Sequence, residues 1–152
     1  MNSKKENEKE IYKELTLNVS IEQLWNAWTN PKALTQFFAP VVNVELEVGG
    51  PYEMLFLTDN PEGQKGGEGN RVLSFLPHKM LSFEWNAPPQ FPEIRKQKTR
   101  VIIFFDMLDN NKSRLRFHHV GWYDGIGWDM VFDYFSKAWD TVLYNLKQFL
   151  EN

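Results

Sequence analysis

A chain of 152 residues without internal repeats fits one domain built around one core. Seventeen basic against 20 acidic side chains give a formal charge of −3, which offers no field for a polyanion and excludes nucleic acid as the main partner. The absence of cysteine excludes disulfides, thiol chemistry and cysteine-ligated zinc, and no apolar run approaches the ~18–20 residues of a membrane span, so a cytoplasmic protein is expected.

Residues 1–9 alternate Lys and Glu without apolar anchors and are expected to be a frayed tail, leaving 10–152 as the domain. From Ile11 to Val19 apolar residues recur at period two, which predicts a first strand. Ser20-Ile-Glu-Gln23 is a capping box that starts a short helix. Its apolar stripe is Ile21, Leu24, Trp25 and Trp28. Asn30-Pro31 ends that helix and opens a second over Pro31 to Phe37.

Turn residues then delimit six strands, at Val41–Glu47, Tyr52–Leu57, Asn70–Leu76, Met80–Trp85, Thr99–Leu108 and Ser113–Val120. Their connections are too short for parallel crossovers, so an antiparallel meander is expected. Alternation turns Leu81, Phe83 and Trp85 inward, with Val101, Ile103, Phe105 and Met107, and with Leu115, Phe117 and His119. On a helical wheel the apolar residues of Trp128–Leu150 fall within about 140°, a stripe that faces a core. At ~35 Å such a helix crosses a whole sheet face. The fold class is therefore α+β: a curved seven-stranded antiparallel sheet gripping a long C-terminal helix, with two short helices between strands 1 and 2.

Five segments carry a resemblance. Ser20 to Pro31 resembles an opening with Trp, Ala and Pro at fixed spacing, and Val48-Gly-Gly-Pro-Tyr52 resembles a Gly-Gly turn before an aromatic. Pro77 with Met80-Leu-Ser-Phe-Glu-Trp85, Arg114-Leu-Arg-Phe-His-His119-Val-Gly121 and Gly127-Trp128 match the later strands and the start of the long helix. In this order they resemble the START-like, helix-grip superfamily often called SRPBCC, which includes the birch-pollen allergen fold. The branch most similar holds the C-terminal domain of activators of the ninety-kilodalton heat-shock chaperone ATPase. Two departures touch the cavity rim: Phe37 or Phe38 stands where the family often has Trp, and Ala87 to Lys98 is a long insert.

The resemblance implies an apolar cavity between sheet and helix. The candidate lining is Trp85, Val101, Ile103, Phe105, Phe117, His119, Val131, Phe135 and Trp139, with His119 as the polar contact and Pro88-Pro-Gln-Phe-Pro92 as a rim. The leading expectation is non-enzymatic binding of a small hydrophobic or aromatic molecule by a monomer or homodimer. One alternative is a co-chaperone with a chaperone protein as partner. Another is a cyclase or hydrolase, which requires His119 and an acid such as Tyr134 or Glu53 to converge. With three histidines, two of them adjacent and on opposite strand faces, neither a metal site nor a cofactor is expected.

Overall fold

A computed structural model describes residues 5–152. The order is β1 (Ile11–Leu17), α1 (Ile21–Thr29), α2 (Pro31–Phe37), β2 (Val41–Val44), β3 (Tyr52–Leu55), β4 (Val72–Leu76), β5 (Met80–Trp85), β6 (Thr99–Asp109), β7 (Lys112–Val120) and α3 (Ile126–Glu151). Ser20 caps α1 as its sequence requires: its hydroxyl accepts from the Gln23 N–H, and the Gln23 side chain accepts from the Ser20 N–H. Asn30 closes α1 and caps α2, with Pro31 at the first helical position.

Seven strands form, but in two sheets rather than one. Five pair antiparallel in the order β1-β7-β6-β5-β4, and β2 pairs only with β3. The expected single sheet breaks because β2 and β3 are shorter than their apolar runs. Glu47 N–H bonds to the Glu45 carbonyl and Gly50 N–H to that of Glu47, so the chain turns before β2 can extend to Glu47. Beyond Leu55, the N–H groups of Phe56 and Leu57 both bond to the Lys65 carbonyl, which ends β3 in a loop. Bonds from Gly49 to Val72 and from Tyr52 to Asn70 keep the small sheet beside β4.

The register places inward side chains in rows across the large sheet. Ile11, His119, Val101 and Phe83 form one row, and Phe117, Ile103 and Leu81 the next. All seven are buried beneath α3 and the short helices. Met107, expected inward, is 57% exposed, because the β6–β7 ladder shifts register after it at the end of the hairpin. From α3, Trp128, Val131, Phe135, Trp139, Leu143 and Leu146 are buried. This is the stripe read from the wheel, and at about 1.5–3 kcal/mol per large apolar side chain its burial is the main force seating the helix.

Of the stretch expected to fray, residues 1–4 lie outside the described residues. Glu6 forms a two-pronged ion pair with Arg100, Asn7 N–H bonds to the Trp122 carbonyl, and Lys9 pairs with Asp129. These are polar anchors, invisible to a search for apolar ones. No described helix is long and apolar enough to cross a membrane.

Candidate functional site

The interior between sheet and α3 has two distinct ends. At the first, β7 carries His119 inward, fully buried, between β6 and α3. Trp139 on α3 donates its indole N–H to His119 Nδ1 at 3.0 Å, so Nδ1 carries no proton. The hydrogen must then sit on Nε2, which donates to Thr99 Oγ1 at 2.8 Å, and the Thr99 hydroxyl donates in turn to the Trp85 carbonyl. Burial pushes the imidazole pKa down to about 3, so the ring is neutral. Both nitrogens are occupied.

At the second end the packing opens. A cleft of about 340 Å3 lies between the outer flank of α3 and the rings of Phe37, Phe38, Phe56 and Trp85, with Tyr134, Phe135, Ala138, Trp139 and Val142 along the helix. It adjoins a smaller lobe of about 130 Å3, and the two share Phe56, Trp85, Tyr134 and Phe135. The smaller lobe is closed by Leu57, Lys65 and Gly66 on one side and by Asn86 to Gln90 with Arg95 on the other. The rings form one cluster: Trp85 lies 5.0 Å from Trp139, 5.6 Å from Phe38 and 6.4 Å from Phe56 and from Phe135, centroid to centroid.

Two loops make the rim, and Arg95 fastens them together. Its guanidinium donates to the Gly63 and Ala87 carbonyls and to the Glu68 carboxylate at 3.1 Å. Burial alone would raise the Glu68 pKa, but the N–H groups of Lys65 and Gly66 outweigh it and hold the carboxyl below its usual value. The insert Ala87–Lys98 also docks on α3, where Ile94 approaches Gly127 so closely that a Cβ there would stand 2.7 Å from Ile94 Cδ1. Gly66 has φ +147° and leaves 2.7 Å between a hypothetical Cβ and the Met54 carbonyl, so a side chain at this point of the rim is excluded twice over.

Of the nine candidate lining residues, the structure brings Trp85, Phe135 and Trp139 to the cleft. Val101, Ile103, Phe105, Phe117 and Val131 lie in closed core, and His119 is enclosed behind Trp139. Tyr134 lines both lobes, yet His119 has no free nitrogen, and Glu53 is engaged by Asn43 and by the Gly69 N–H. Both His119 nitrogens are thus engaged by Trp139 and Thr99 rather than by either acid. Sequence reasoning missed Phe38, Phe56 and Asn86 as lining. The signal for Phe38 was its place where the family often has Trp, whereas Phe56 sits in a connection whose path alternation does not set. Among the described residues no three His, Asp or Glu side chains gather as a metal set.

Residues 18–151 match the family described as activator of Hsp90 ATPase homolog 1-like protein. The chain belongs to that family. Solved structures agree in fold. A protein of Mesorhizobium loti is 20% identical, with a TM-score of 0.75 over 94% of this chain and 97% of its own. The Aha1 dimer of Colwellia psychrerythraea is 19% identical, with a TM-score of 0.71 over 94% and 96%. CalU16 of Micromonospora echinospora is 15% identical, with a TM-score of 0.67 over 97% and 83%. At these identities the likeness concerns the helix-grip fold alone. Comparison with curated proteins gives no match.

Proposed function

We propose that this member of the family binds a small hydrophobic or aromatic molecule, without chemical turnover, in the two-lobed cleft between α3 and the β3–β5 end of the sheets. The observation carrying this reading is the pair of adjoining lobes, about 340 and 130 Å3, framed by aromatic rings that both lobes share. Water in an apolar cleft of this kind finds few hydrogen-bond partners, so an aromatic or hydrocarbon guest that displaces it gains contact with the rings. Displacement of the dye 8-anilinonaphthalene-1-sulfonate by two- and three-ring aromatics, with native mass spectrometry of the mixture, tests it. A one-to-one complex is expected. Absence of any binder across such a panel contradicts the reading.

A co-chaperone role is the second reading, supported by the family and by apolar groups on the outer face of the large sheet, where Tyr12 and Leu76 are exposed and Phe104 is half-buried. Addition of the purified chain to an Hsp90-type ATPase is the test. A rise in turnover is expected under this reading, and unchanged turnover counts against it.

A further inference from the structure

The fold leaves one face of α3 uncommitted. Six residues of the helix carry charge, and four of them are in ion pairs: Asp129 with Lys9, Asp140 with Lys13, and Lys147 with Glu151. Asp133 and Lys137, one turn apart and both exposed, have no ion-pair partner among the described residues. Lys9 lies in the field of Asp133 but bonds to Asp129. The same face shows large apolar side chains to solvent. Ile126 is 82% exposed and Tyr144 63%, with Met130 and Tyr134 exposed between them. At 100° per residue these six side chains fall within about 100° of the helix circumference, so they form one stripe.

The stripe is symmetric about Phe135, which is buried behind it. Asp133 and Lys137 stand two residues to either side of that position, and Ile126 and Tyr144 stand nine. A shallow groove of about 490 Å3 extends over Met130 to Thr141, centred on the same turn. A two-fold contact between antiparallel helices sets each residue against the one equally far beyond the axis. With the axis at Phe135, Asp133 faces the partner's Lys137 and Ile126 faces the partner's Tyr144, each twice over, along about 27 Å of helix. Opposite charges at mirrored positions attract a second copy of the same face. We infer that this face of α3 is a homodimer interface, in which two α3 helices pack antiparallel about a two-fold axis at Phe135. Tyr134, Ala138 and Thr141 of the groove also line the larger lobe, so the second copy stands at the mouth of the cleft. A contact one helix wide buries less than the about 1,200 Å2 at which standard interfaces begin, which makes the dimer weak and reversible.

Sedimentation velocity of the purified chain from about 10 µM to about 1 mM is expected to show a reversible dimer with a Kd on the order of 100 µM. Asp133→Lys sets two ammonium groups against each other on each side of the axis, and Lys137→Asp sets two carboxylates. Each variant alone is expected to associate about tenfold more weakly than the wild type. An equimolar mixture of the two is expected to regain wild-type association, because the face with two positive charges then meets the face with two negative ones. Such a rescue does not arise from a folding defect in either variant. A chain that stays monomeric to about 1 mM leaves the face to a different protein and overturns the inference. A dimer that neither variant weakens uses another surface and overturns it equally, as does a mixture that associates no more tightly than its components.

Discussion

The His119 end and the Trp85 end of the interior are built from the same materials and solve opposite problems. Around His119 every polar atom is used: Trp139 gives it a proton to share, it gives one to Thr99, and Thr99 passes one to the backbone of Trp85. Around Trp85, two strands away across β6, rings of the same kinds leave adjoining space and an indole N–H without a partner among the described residues. Closure follows from the long paired register of β5, β6 and β7, which presents complete rows to α3. Opening follows from the shortness of β2 and β3, whose separate sheet leaves the flank of α3 covered only by α2, by Phe56 and by two loops. A helix-grip domain thus confines its freedom to one end by where strand pairing stops.

Substitution sharpens this contrast. His119→Ala removes a buried ring and strands the Trp139 N–H, so a loss of about 3–5 kcal/mol in urea unfolding is expected. Tyr134→Ala, on the exposed flank of the cleft, is expected to cost under about 1 kcal/mol. A similar cost for both would remove the distinction between the two ends.

Acid acts on the same asymmetry. His119 has its folded pKa lowered to about 3, so between that value and about 6.5 the unfolded chain binds a proton the folded chain refuses. The contribution is complete above about pH 6.5 and falls by up to ~1.4 kcal/mol per unit as the pH drops through the window. Urea midpoints at pH 7 and pH 4.5 measure it. His119→Gln is expected to lose less stability over that interval than the wild type, and an equal loss would assign the acid sensitivity to other groups.

A smaller effect is expected at Tyr52, whose fully buried hydroxyl donates to the Trp28 carbonyl at 2.7 Å while its ring stacks on Phe83. Tyr52→Phe keeps the stack and is expected to cost about 1 kcal/mol, read as a lowered melting temperature. Smallest in stability is Phe56→Ala, because this ring is already 40% exposed; under about 1 kcal/mol is expected. Its mark should fall on binding instead, with dye affinity reduced about five- to tenfold by loss of an aromatic wall.

Much of this architecture was legible in the residues. Alternation in β5 to β7 assigned Phe83, Trp85, Val101, Ile103, Phe117 and His119 to the interior, and the wheel found the buried stripe of α3, because both signals are local and periodic. The split of the sheets was not legible, since apolar runs through Glu47 and Leu57 read as strand while loop hydrogen bonds end the pairing earlier. The cleft was legible in part. An inward position reports burial, and burial is the same for a residue that fills a core and one that lines a void. Trp85 and Phe105 share the same alternation, yet only Trp85 borders space, because which helix or loop covers each strand end is a tertiary fact. His119 illustrates the same limit: its inward direction was readable, its two partners from β6 and α3 were not.

The central claim, that guests enter beside Trp85 and nowhere near the closed core, is tested most directly by the indole region of the 15N–1H spectrum during titration with 2-acetylnaphthalene. The account predicts that the signals of Trp85 and Trp139 move with saturation while those of Trp28 and Trp122 stay fixed. Saturable binding that moves Trp28 and Trp122 and leaves Trp85 unchanged would contradict it.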